Sequence, residues 1–188
     1  KKELLKTKLR TDMALDLDSE NKYVKEKYQK GDITVTYMEL DEKNVLGKEK
    51  GNYLTLEFGD VSDDDEKKLV METFKLEFAK MLKKEGFNKD FKTLVVGLGN
   101  PKMTPDALGC KTALKILVTK HLFDMELKNL DDYTNVCEIH PDVTGVTGIE
   151  TSDIIKAVAD KIKPDLIIFI DALASLSVSR VNKSIQVS

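Results

Sequence analysis

Two short runs of uninterrupted apolar residues constrain this chain most: Leu94–Leu98 (LVVGL) and Leu166–Ile170 (LIIFI). A strand that is apolar at every position must be buried on both faces, and such strands belong to parallel sheets covered by helices. The segments between them carry helical signals. Pro105 stands where a first helical residue belongs, opening a helix that runs to about His121. Residues 150–163 (ETSDIIKAVADKIK) form another helix, closed before Pro164. Val136–Ile139 is a shorter strand candidate between the two. Strand, helix, strand, helix, strand in this order predicts an α/β fold of three layers, α/β/α, around a mainly parallel sheet.

The N-terminal part follows a different pattern. Ile33–Leu40 (ITVTYMEL) and Tyr53–Phe58 (YLTLEF) alternate with period two, and the glycine-containing, charged loop between them reads as a hairpin. We expect an antiparallel appendage here. Residues 64–84 place Leu69, Val70, Phe74, Phe78, Met81 and Leu82 at helical spacing. Acids cluster at the positive end of that helix, and Gly86 terminates it.

Length and charge narrow the function classes. The 188 residues suit one domain able to bury its own core. With 34% charged residues and no apolar stretch near the ~20 residues of a membrane span, no membrane association is expected. A net charge of −3 gives no electrostatic reason for a direct nucleic-acid partner. Cys110 and Cys137 form no CxxC and suit a reducing, cytoplasmic setting; no metal or other cofactor is implied. The start KKELLKTKLR lacks the apolar core of a secretory signal. The last residues, SIQVS, follow directly on a strand-like run, and a C-terminally shortened chain is expected.

In parallel α/β sheets, ligands sit outside the carboxyl ends of the strands. After LVVGL come Gly99, Asn100, Thr104 and Asp106; after LIIFI comes Asp171. Gly97 and Gly99 permit a tight turn or close backbone approach. Each acid alone has a plain reading, Asp106 as a first-turn dipole partner and Asp171 as an N-cap. Together they could form a carboxylate pair in one crevice, one member acting as general acid and the other as general base on water.

GLGNPKMTPDALG, and then HPDVTGVTGIETSDIIKAVADKIKPDLIIFIDALA followed by RVNKSIQ, resemble the germination protease family over roughly residues 92–188. Arg10–Leu15 (RTDMAL) resembles that family's N-terminal segment. The resemblance implies an atypical aspartic endopeptidase of the spore core, with a phosphorylase/hydrolase-like fold, that degrades small acid-soluble spore proteins during germination. It implies Asp106 and Asp171 as the catalytic acids, and a homotetramer. Gly97, Gly99, Asn100 and Thr104 would support the site, as would Thr147 and Glu150 on a nearby loop.

It also implies a self-processing zymogen. Thr11–Asp16 (TDMALD) has the order of the family's substrate site, which predicts cleavage between Asp12 and Met13, a pro-segment of residues 1–12 and a peptidase domain of residues 13–188. A charged, mobile arm suits such cleavage. Leu176 and His140 depart from the family pattern, and an inactive, peptide-binding relative is the alternative. GLGNP is also similar to peptidyl-tRNA hydrolases, and residues 97–106 to metal-dependent hydrogenase maturation endopeptidases, in which His140 would be a ligand.

Overall fold

The computed structural model describes residues 11–188. In chain order the elements begin with α1 (Ala14–Leu17), β1 (Val24–Lys30), β2 (Ile33–Leu40), β3 (Gly51–Glu57) and α2 (Asp64–Lys84). Next come β4 (Thr93–Gly97), α3 (Leu108–Ala113), α4 (Lys120–Asp124), β5 (Val136–Ile139) and α5 (Thr144–Thr147). The chain ends with α6 (Thr151–Ile162), β6 (Leu166–Ile170) and β7 (Ser184–Val187). These elements form two compact units, one of residues 11–86 and 173–188, the other of residues 87–172.

The first unit is built on an antiparallel sheet of order β1-β2-β3-β7. Alternation along β2 and β3 buries both of its faces. Ile33, Val35, Leu54 and Leu56 meet Val70 and Met81 of α2 on one face. Met38, Leu40 and Tyr53 cluster with Ala14 and Leu15 of α1. The acidic start of α2 behaves as expected: Asp63 caps it by accepting from the Asp65 and Glu66 N–H groups. Arginine and lysine are excluded from the sheet's inner strands, but Glu77 is buried on α2. Its carboxylate accepts from the Tyr37 hydroxyl at 2.8 Å and pairs with Lys80 at 2.8 Å.

The second unit holds the parallel sheet, in the order β5-β4-β6. β4 lies in the middle and is buried at every residue, as its continuous apolar run requires. The equally apolar run of β6 departs from that expectation: as an outer strand of the three it is only half-buried, and Phe169 is 53% exposed. Its neighbours run parallel to it, with Gly97 opposite Ile170 and Val96 opposite Ile139. The fold is thus α/β, but the antiparallel sheet, with four strands, exceeds the three-stranded parallel one.

The single helix expected from Pro105 to His121 is broken into three. A 3-10 turn covers Thr104–Asp106, then come α3 and α4. Thr119 supplies the physical reason. Its N–H donates to the Val136 carbonyl at 2.9 Å and its hydroxyl accepts from the Val136 N–H at 2.9 Å, which draws the chain out of the helix and onto the start of β5. Among the described residues, no helix is long and apolar enough to cross a membrane.

Candidate active site

The second unit brings its acids to one end of its sheet through glycines. Gly99 has φ +100°, and a Cβ there would collide with the Asp106 carbonyl and approach Asp106 Oδ1 to 3.0 Å. The chain therefore folds Asp106 back onto the end of β4, where its Oδ2 accepts the Asn100 N–H at 2.8 Å. Asn100 Oδ1 in turn accepts the Lys102 N–H at 2.9 Å, shaping the turn between them. Gly97 and Gly109 close the same joint. A Cβ on Gly97 would lie 2.7 Å from that of Ala113, and one on Gly109 would strike the carbonyls of Ile170 and Leu98. α3 thus seats directly on the last carbonyl of β6. The next residue is Asp171.

Asp171 is exposed and, among the described residues, accepts only the N–H of its neighbour Ala172, at 2.7 Å. It caps no helix; the only regular turn nearby is a 3-10 turn at Val178–Arg180. Asp106 is half-buried, with its single bond from Asn100. Among the described residues, both carboxylates thus leave an oxygen for other partners. The Asn100 N–H is committed to Asp106, so this amide holds an acid in place and is not free to stabilise an oxyanion.

Two further residues share this end of the sheet. Cys110 is buried, and its Sγ lies 3.1 Å from the Gly99 carbonyl. Burial pushes its thiol up from the ordinary range, and the carboxylates of Asp142, Asp106 and Asp171 push it further. It is a neutral packing group rather than a nucleophile. Asp142 follows β5 with φ 64°; its Oδ1 accepts the Val143 N–H at 2.8 Å and its carbonyl accepts the Thr151 hydroxyl at 3.1 Å. All three parallel strands therefore lead to an aspartate.

The other expected supports are more peripheral. Thr104 is exposed in the 3-10 turn before Asp106. The Thr147 hydroxyl bonds the backbone of Ile149, and Glu150 accepts from the Thr144 hydroxyl at 3.3 Å. Glu150 is the N-cap residue of α6 and makes no side-chain cap bond. His140 faces Glu138, with Nδ1 3.2 Å from a carboxylate oxygen.

Asp12 and Met13, the expected cleavage site, lie in the first unit, and their surroundings differ from a mobile arm. Met13 and Ala14 are fully buried. The Asp12 carbonyl accepts from Lys48 Nζ at 3.0 Å and from Gln186 Nε2 at 3.2 Å, while Asp12 and Ala174 exchange two hydrogen bonds. Residues 1–10 of the expected pro-segment, Arg10 among them, lie outside the described residues.

Comparison with known proteins gives the same family as the strand-end motifs. The sequence model of the family described as germination protease matches residues 2–188. The chain belongs to the germination protease family. It is 44% identical over 170 residues to the germination protease of Bacillus cytotoxicus, covering 88% of this chain and 46% of that protein. The Bacillus cereus germination protease is 40% identical over 203 residues, covering 99% of this chain and 55% of its own length. That of Oceanobacillus iheyensis is 44% identical over 162 residues, covering 84% and 44%. The chain spans about half the length of the curated germination proteases it matches. Family membership also separates it from the peptidyl-tRNA hydrolases and maturation endopeptidases that share its GLGNP or GxGN string.

Proposed function

We propose that this chain carries the acid pair of a germination protease: an endopeptidase of the aspartic type, acting on small acid-soluble spore proteins in the spore core. The observation that carries the reading is the delivery of Asp106 and Asp171 to one end of the parallel sheet, each with an oxygen that accepts no hydrogen bond among the described residues. In the reaction, the ionised member takes a proton from water as that water attacks the scissile carbonyl. The protonated member donates to the carbonyl oxygen and then to the leaving amine. Gly97 and Gly99 shape the floor, and Asn100 orients Asp106. Thr104, Thr147 and Glu150 border the site. The three-layer arrangement and the tetramer belong to the same proposal.

The same chemistry acting on Thr11–Asp16 would cut between Asp12 and Met13. Because that carbonyl is doubly hydrogen-bonded and its neighbour buried, the segment must detach before a carboxylate pair can reach it. Processing is therefore expected to be slow relative to cleavage of an unfolded substrate. The test is hydrolysis of a small acid-soluble spore protein by the purified chain and by Asp106→Asn and Asp171→Asn. Loss of cleavage in both variants supports the pair. Undiminished cleavage overturns it, and no cleavage by the unsubstituted chain favours the inactive, peptide-binding alternative.

A further inference from the structure

The carboxylate of Asp16 is the most heavily bonded acid of the first unit, and nothing in the acid-pair chemistry uses it. Its side chain is 2% exposed. Oδ2 accepts the Thr11 hydroxyl at 2.7 Å, the Leu176 N–H at 2.8 Å and the Ser175 hydroxyl at 3.1 Å. Oδ1 pairs with Arg180, whose Nε also reaches Glu57 on β3 at 2.6 Å. One carboxylate therefore ties the segment around α1 to residues 175–180, which begin four residues after Asp171 in the chain.

Thr11 plays a double part in that arrangement. While its hydroxyl donates to Asp16, it also accepts the N–H of Met13 at 3.1 Å. A single hydroxyl group thus stands between the Met13 nitrogen and the Asp16 carboxylate. Scission of the Asp12–Met13 bond adds water, placing a hydroxyl on the Asp12 carbonyl carbon and a proton on the Met13 nitrogen. At neutral pH these become a carboxylate and an α-ammonium. Thr11 then departs with residues 1–12, leaving Asp16 one donor short and a new cation beside it.

We propose that Asp16 is the receptor for the chain's own new N-terminus: the α-ammonium of Met13 replaces the Thr11 hydroxyl on Asp16 Oδ2. This rests on the self-processing reading above. The exchange keeps Asp16 saturated, so the Ser175–Leu176 anchorage survives loss of the pro-segment. It also substitutes a charge-assisted bond for a neutral one, which is the stronger kind. Asp16 already sits in surroundings that favour its charged form. Burial opposes that charge, but the Leu176 N–H, the two hydroxyls and Arg180 together outweigh it and hold the carboxyl below its usual range. The other charges facing the site are Arg180 and Glu57, which pair with each other, and Lys48, which binds the Thr11 and Asp12 carbonyls and is released with them. Asp12 itself leaves.

The experiment reads the amine rather than activity. The full chain is allowed to process, and the rate at which its Met13 α-amine reacts with an amine-specific reagent is followed by mass spectrometry between about pH 6 and 9. In parallel, a chain with residues 7–12 replaced by the recognition sequence of an added protease is cut directly before Met13. An unrestrained α-amine titrates at about 7.7–8.0. The expected result is labelling at least tenfold slower in the native processed chain than after denaturation, with the amine titrating at least one unit higher. Asp16→Asn, which retains an acceptor for Leu176, should lose most of that protection. Equal labelling of native and denatured chains overturns the proposal, whether or not Asp16→Asn folds. Protection in the added-protease arm without any self-cleavage would reject self-processing and leave the ammonium site standing.

Discussion

The two units treat their aspartates in opposite ways. Asp16, in the antiparallel unit, is buried and accepts from two hydroxyls, a backbone N–H and a guanidinium. Asp106 and Asp171, in the parallel unit, are half-buried and exposed, with one backbone donor each. A carboxylate whose lone pairs are all engaged contributes to stability and is closed to chemistry. One held by a single bond is oriented yet still able to exchange a proton. The comparison teaches that the number of donors a fold supplies separates an acid that is locked in place from one that stays open to other partners.

The sharpest way to break this contrast is to neutralise each kind of acid in turn. Asp106→Asn and Asp171→Asn should each lower peptide hydrolysis by about 10³-fold, in the range of lost general acid–base catalysis, with little change in the urea midpoint. Unfolding in place of inactivation would show that these acids are structural after all. Asp16→Ala should do the reverse, costing about 3 kcal/mol of stability because Arg180 and the Leu176 N–H lose a buried partner. Urea denaturation measures that loss directly. Gly99→Ala should cost a similar amount, about 3 kcal/mol, from left-handed strain and the clash with Asp106. Its effect on cleavage should exceed its effect on the midpoint if Asp106 must sit against Gly99.

A smaller effect follows from acid. Asp16 and Glu77 both lie below their ordinary carboxyl ranges. Each is pushed up by burial but brought down further by its donors, which for Glu77 are Lys80, Tyr37 and Tyr28. Folded values below the unfolded ones give stability that is complete above about pH 4–5 and lost as pH falls through the folded values. The antiparallel unit should therefore weaken on acidification below about pH 4, and Asp16→Asn should flatten that dependence. Chemical denaturation at a series of pH values tests both points. The smallest change concerns Thr36 and Thr55, opposite each other on β2 and β3, whose buried hydroxyls have no partner among the described residues. Thr36→Val should stabilise by about 1 kcal/mol, visible as a raised melting temperature.

Much of this organisation was legible from hydrophobic pattern. β4, β6 and α6 follow from continuous apolar runs and a helix between strand signals, and the Asp63 cap from its acidic cluster, although full burial accompanies the pattern only in β4. β1 was missed because VKEKYQK is largely charged; it is an exposed edge held by its ladder to β2 rather than by burial. β7 reads as a strand, but its partner β3 lies far away in sequence, where local pattern carries no information. The helix expected from Pro105 failed at Thr119 for a tertiary reason, its bonds to Val136. The strand-end rule singled out Asp106 and Asp171, which the structure carries at one end of the parallel sheet. Applied to the weaker strand β5, it would also have found Asp142. Cys110 had no signal, since a small buried thiol looks like any apolar residue in a helix.

The ladder between β3 and β7 has a consequence for the order in which the chain acquires structure. Residues 87–172 form a complete unit between the two parts of the other, so they can collapse as soon as they leave the ribosome. The antiparallel sheet instead waits for Ser184–Val187, because its fourth strand is made after residues 87–172 and pairs with residues synthesised some time before. Closing so long a loop slows folding more than it costs stability. During that interval β3 presents an unpaired edge, and Thr11–Asp16 lacks the Ala174, Ser175, Leu176 and Gln186 partners that later enclose it. A nascent chain is thus open to proteolysis at Thr11–Asp16 until residues 174–187 have emerged and paired with it.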